Sequence, residues 1–345
     1  MKDQRQEGGD NSTLVQGNSV ELHRHGLTLE EVRQVASDVF RMNYLELTAD
    51  AMKEARRLAD EFAEMLLMKL EQADTHNVER FRTPAMQSAV YSAQKAYVET
   101  ADPGLAEALA ELLLEKSATQ NRSMKGIVLA SAIETIPKLT AEQVAALCAL
   151  VILVQTVKFD WETPKDVLLG LNERLTPLYD KVPTTSSSYQ YMGSVGVGSL
   201  SLGNDPYATL VSTYPGAFNL GYPEGQIPEP LTPFAEGGLF RPAHDGSGRR
   251  CIAVGSDQDL GGRLAPHVQH LADDLKTALG QNRMETQHIE EMTAKLAPSL
   301  HKFLAQLKKT SATQFQLTTL GIAIGHSHWK ILAPDVAPEL DIYLQ

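Results

Sequence analysis

Helix-capping residues followed at once by proline recur along this chain and confine much of it to a helical design. Thr83-Pro84, Asp102-Pro103 and Thr163-Pro164 each place a side-chain acceptor ahead of a residue whose fixed φ suits the first helical turn. Proline's missing N–H costs nothing there, because the first amides of a helix have no partner within it. Two further starts, Thr28 with Glu31 and Thr140 with Gln143, carry the reciprocal capping pattern. Apolar residues then return at intervals of three and four: Leu29, Val32, Val35, Ala36 and Val39 in one stretch, Met86, Val90, Ala93 and Tyr97 in another. A longer stripe, Met52, Ala55, Leu58, Ala59, Phe62, Met65, Leu66 and Leu70, predicts an amphipathic helix of about 25 residues from near Thr48. Residues 27–181 therefore read as a bundle of about seven helices joined by short loops. Its expected core includes Phe62, Leu66, Val90, Leu109, Leu147, Leu150 and Val154.

At Val182 the texture changes. Residues 182–262 are rich in Gly, Pro, Ser and Tyr, and helical periodicity fades. "SVGVGSLSLG" and "RRCIAVG" have the look of short strands. Long ordered loops usually carry function, so this irregular insert is expected to cover part of the bundle and to line the best pocket. Tyr189, Tyr191 and Arg250 are its candidate ligand-facing groups. Residues 263–345 form a C-terminal helical portion. "MTAKLAPSLHKFLAQLKK" should be kinked or divided at Pro298. In "TQFQLTTLGIAIGHSHWKIL", Phe315 and Leu317 alternate like a strand, and Thr318 or Thr319 can cap a helix. Gly321 and Gly325 stand four residues apart in that helix, a spacing that admits another backbone. "LDIYL" reads as a final strand or a docking arm. The fold class is mainly α: a multi-helix bundle with a short N-terminal β hairpin and an irregular Gly/Pro-rich insert.

Composition removes several function classes. The 345 residues are 43% apolar and 21% charged, enough for a real core. A net charge of −12 opposes binding to nucleic acid or to an anionic membrane, both of which reward a basic surface. Two distant cysteines, Cys148 and Cys251, do not make a disulfide framework, which points to a reducing cytoplasm. The most apolar run, "VAALCALVILVQTV", is too short to span a bilayer and reads as a buried helix. "GSVGVGSLSLG" carries Ser201 where a dinucleotide fingerprint needs its third glycine, so no cofactor is expected.

Candidate chemistry is sparse. His267 and His270 lie one helical turn apart, with Asp274 on the same face, a set able to hold a divalent metal for hydrolysis. His326 and His328 diverge on a helix, and Trp329 beside them reads as a packing anchor. "FQLTTLGIAIG" resembles the part of winged-helix proteins where a wing strand leads through a capped start into a helix, which would make the C-terminal portion a DNA-binding regulator.

The segment "STLVQGNSVELH" has its own logic. Gly17-Asn18 suits a tight hairpin turn between Leu14-Val15 and Val20-Leu22. An isolated hairpin is marginal in water, so these four apolar residues are expected to pair between copies of the chain. The "GGDNST" run ahead of it resembles an N-terminal stretch of assorted bacterial proteins, several of them tied to conflict and defence systems. Together with "LTLEEVRQVASDVFRMN" and "LTTLGIAIGH", the chain resembles a bacterial family of helical cytosolic proteins with no assigned activity. The resemblance implies a setting and no catalytic residues. The expected function is a non-enzymatic assembly or sensing protein of the bacterial cytosol, a homo-oligomer with a possible protein partner. A metal-dependent hydrolase and a DNA-binding regulator are the alternatives.

Overall fold

A computed structural model of the chain describes residues 29–43, 49–73, 78–120, 122–155, 161–201, 203, 205–236, 239–243, 245–256, 260, 264 and 271–344. The cap-and-proline starts do what their chemistry dictates. Thr83 accepts the Met86 amide, and Asp102 accepts those of Gly104 and Leu105 at 2.9 and 3.2 Å. Thr140 with Gln143 and Thr163 with Asp166 close reciprocal boxes. These starts set α3 (Pro84–Thr100), α4 (Pro103–Ser117), α6 (Ala141–Leu150) and α7 (Pro164–Leu175). α1 (Leu29–Asn43), α2 (Ala49–Gln72) and α5 (Met124–Thr135) complete the first part of the bundle. The structure is mainly helical, with only short antiparallel strands. The expected N-terminal hairpin lies outside the described residues.

Six of the seven expected core residues are buried; Val154 is 43% exposed. After α6 the helix widens into a π turn, Val151–Gln155. Such a turn adds a residue per loop and shifts the register of the side chains in it, so that Val151, Ile152 and Leu153 stay buried while Val154 turns outward.

The insert is more helical than its composition suggests. It holds α8 (Ser186–Ser194), α9 (Pro206–Thr213) and α10 (Thr232–Glu236). α9 starts with the same cap-and-proline device, Asp205-Pro206, whose carboxylate accepts the Tyr207 amide at 2.9 Å. Strands form in the three stretches that alternate, and a further one, not expected, forms at Phe240–Pro242. β1 (Gly198–Leu200) pairs with the later β4 (Phe315–Leu317), and β2 (Phe240–Pro242) pairs with β3 (Arg250–Ile252). α11 (Ala272–Gly280) follows, and Pro298 divides the next pattern into α12 (Thr286–Leu296) and α13 (Pro298–Lys309).

β4 runs through Thr318 into α14 (Thr319–Leu332). Thr318 Oγ1 accepts the Gly321 amide at 3.2 Å and donates to the Gly196 carbonyl at 2.8 Å. α14 lies among α4, α5 and α6, and Gly321 to Ser327 are all buried together with Trp329. The two glycines are where other backbones press in. A Cβ on Gly321 would fall 1.9 Å from the Val197 carbonyl oxygen, and one on Gly325 would fall 2.6 Å from the Leu147 carbonyl. The helix into which the winged-helix-like stretch runs is thus enclosed by the bundle. The "LDIYL" tail forms a 3-10 turn, Leu340–Tyr343, with Leu340 buried and Tyr343 against His326.

One cluster of buried apolar side chains runs from Val32 to Leu340, so the N-terminal bundle and α12 to α14 share a core. A second, smaller cluster joins Tyr222, Phe234, Phe240 and Ile252 of the insert to Leu275 and Leu279 of α11.

Gly325→Ala should cost about 1–3 kcal/mol of unfolding free energy in urea, the range for overfilling a packed site. Gly193→Ala, inside α8 with its nearest neighbour atom 3.7 Å from the new Cβ, should instead be neutral or gain up to about 1 kcal/mol.

Candidate functional site

Where the two cores meet, the chain leaves a cavity of about 370 Å³. Three elements build it. The start of α7 contributes Thr163, Pro164 and Lys165. The β2–β3 hairpin and its turn contribute Arg241, Ala243, Asp245 and Cys251. The third wall is Ala217, Asn219 and Leu220 facing Met284, His288 and Met292.

Asn219 fixes the floor. Its Nδ2 donates to the carbonyls of Ala278, Leu279 and Gln281 at 3.3, 3.2 and 2.6 Å, closing the end of α11. Its Oδ1 accepts the Gly221 amide at 2.7 Å. Gly221 sits at φ +73°, and a Cβ there would meet the Arg250 carbonyl at 2.6 Å and Cys251 Sγ at 2.7 Å. No other residue fits that turn. Cys251 Sγ donates to the Asn219 carbonyl at 3.3 Å. Burial pushes this thiol's pKa up, against the opposing pull of Arg241.

Arg241 stands opposite Cys251 in the hairpin register. Its Nη2 donates to the Glu162 carbonyl, and its Nε lies 3.6 Å from the Glu162 carboxylate. Nε and Nη1 are shut off from solvent and complete no hydrogen bond. Burial pushes the guanidinium's pKa down, opposed by Cys251, Glu162 and Asp166. At the rim, the Asp245 carboxylate accepts the Ser247 amide at 2.9 Å, and Ser247 holds it below the usual range.

The residues singled out from sequence lie elsewhere. Tyr189 is fully buried, its ring 6.0 Å from Phe315, and burial pushes its hydroxyl up to about 12. Tyr191 is exposed and donates to the Lys138 carbonyl at 3.0 Å. Arg250 donates to the Ala235 and Phe240 carbonyls at 3.4 and 3.1 Å. None of the three lines the cavity. Asp274 is exposed on α11. His267 and His270 lie outside the described residues, as do Leu14, Val15, Val20 and Leu22. Of the HSH pair, His326 is buried and its Nε2 donates to the Pro338 carbonyl. His328 is half-buried, and burial pushes both rings below their ordinary pKa.

Among the described residues, Glu115, Glu339 and Asp341 bring three carboxylates within 4.8 Å of one another. Two ammonium groups already occupy this place. Lys125 Nζ lies 2.5 Å from both Glu115 and Asp341, and Lys330 lies 3.1 Å from Glu115. The network therefore reads as a clamp that fastens the C-terminal turn to α4, α5 and α14.

A helical protein with a cavity between a large and a small core is the class these features define. A protein-family model described as ":-like" matches residues 26–343, and the chain belongs to that family. No curated protein and no solved structure matches it.

Burial alone would raise the Glu115 carboxyl, but Lys125 and Lys330 outweigh it and hold it below the usual range. A carboxyl depressed on folding adds stability above its unfolded-state pKa of about 4.3 and loses it as pH falls through the folded value. Glu115→Gln takes the carboxylate from Lys330 and leaves Lys125 with Asp341 alone, so it should cost about 3 kcal/mol at pH 7 in urea unfolding. The gap to the wild type should close as the pH drops below about 4.

Proposed function

We propose that the protein is a non-enzymatic sensing protein that assembles with copies of itself and receives a small molecule in the cavity between its cores. What supports this most is the mixed origin of the cavity wall. Ala217, Met284 and Met292 pack with the larger core, whereas Arg241 and Cys251 come from the hairpin whose Phe240 and Ile252 belong to the smaller. A molecule seated there touches both cores, and its binding energy becomes a coupling between them. The cavity's thiol supports binding over catalysis. Cys251 is kept protonated by burial and donates to a carbonyl, and a neutral thiol is a poor nucleophile. No described helix is long and apolar enough to cross a membrane.

Assembly is placed on Leu14, Val15, Val20 and Leu22, on the strength of the Gly17-Asn18 turn pair between them. The GGDNST resemblance supports a bacterial cytosol and a defence role as the setting. Light scattering of the full chain at micromolar concentration should give a particle heavier than one copy. Val15→Asp combined with Val20→Asp should lower that mass with helical circular dichroism unchanged. A monomeric wild type, or an unchanged mass in the double variant, would contradict the assembly reading.

A further inference from the structure

We propose that the groove between α3 and α5 is an interface with a second copy of the chain, in which two α5 helices cross antiparallel about a two-fold axis at Ala130. This contact is separate from the assembly placed on Leu14, Val15, Val20 and Leu22. The groove measures about 310 Å³. Ser88, Ala89 and Ser92 of α3 line it opposite Ala130 and Ser131 of α5, and side chains this small leave room for a third helix. At its edge on α5 stand Met124, 57% exposed, and Ile127, 54% exposed. Met124, Ile127, Ser131 and Glu134 follow at steps of three, four and three residues, so they share one helical face. A pair of large apolar side chains beside a trough of small ones is self-complementary. A two-fold axis seats the pair of each copy in the trough of the other.

Charge fixes the occupant and its direction. Lys116 of α4 lines the groove and is 4% exposed. Its ammonium makes one hydrogen bond among the described residues, to the Gly126 carbonyl at 3.4 Å, and has no carboxylate partner there. A buried ammonium without a counter-charge is costly to keep. Glu134 lines the same groove at the other end of α5, exposed and paired with no cation among the described residues. Gly126 and Glu134 are eight residues apart, about 12 Å along the helix, with Ala130 midway. An antiparallel copy centred on Ala130 therefore brings its Glu134 alongside Gly126 and Lys116, and the symmetry makes the pairing twice. The same carboxylate then lies at the N-terminal end of the facing α5, where the helix dipole favours it.

Ala130→Cys tests the crossing point in the full chain. The native Cys148 and Cys251 are buried, so mild oxidation should link two copies through the new thiol, read as a dimer band on a non-reducing gel. The linkage should run at least about ten-fold faster than for Lys53→Cys, an exposed position on α2 outside the groove. Adding Glu134→Lys to Ala130→Cys sets like charges against each other at both ends and should slow the linkage about ten-fold. Adding Val15→Asp and Val20→Asp instead should leave the rate unchanged. Linkage of Ala130→Cys no faster than that of Lys53→Cys would overturn the interface and leave the groove to an occupant other than this chain. Fast linkage indifferent to Glu134→Lys would overturn the antiparallel pairing. Linkage lost with Val15→Asp and Val20→Asp would show that the contact only follows the hairpin, and would overturn it as an interface of its own.

Discussion

The constraint on which the bundle turns is the contact between Gly325 of α14 and the backbone of Leu147 in α6. Two helices can approach this closely only if one offers no side chain, and the reward is dispersion contact along both backbones. Everything around the contact depends on it. α14 is the late helix that α4, α5 and α6 enclose, so the bundle's centre is supplied by residues about 170 positions downstream of α6. The second close approach, Gly321 against the Val197 carbonyl, fixes where the insert leaves α8 and enters β1. β1 then pairs with β4, the strand that feeds α14. The central helix and the insert's entry are therefore positioned by one another.

From this arrangement the smaller core takes its place. Tyr214 packs in the larger cluster and Tyr222 in the smaller, and the turn between them crosses the seam. Along it the Gly216 amide donates to the Gly255 carbonyl at 3.0 Å, while Asn219 closes the end of α11. The cavity is what these fixed points leave open. Its polar atoms are mostly consumed by the turn that shapes it and by the pairing of Arg241 with Glu162.

Much of the architecture could be read from residues. The caps, the stripe on α2, the break at Pro298 and the paired glycines of α14 are local signals, and local physics decided them. Val154 escaped because a π turn is a register change that apolar spacing does not announce. α9 escaped although Asp205-Pro206 repeats the signal read at three other starts, since the surrounding Gly and Ser masked it. The cavity was legible only as a segment. The insert does line it, but through Asn219, Arg241 and Cys251, whose roles arise from contacts with α7, α11 and α12 far away in sequence. Tyr189, Tyr191 and Arg250 were conspicuous as residue types, and their side chains are engaged instead with Phe315, the Lys138 carbonyl and the Phe240 carbonyl.

The dependence of the bundle on its late helix has a direct test in native-state hydrogen exchange. If α14 is the centre of one core, the amides of Ile324 to Trp329 should exchange only through global unfolding, at the same free energy as Leu109 to Leu113 in α4. Exchange of α14 through a cheaper partial opening, with α4 still protected, would show that the bundle stands without it and contradict the account.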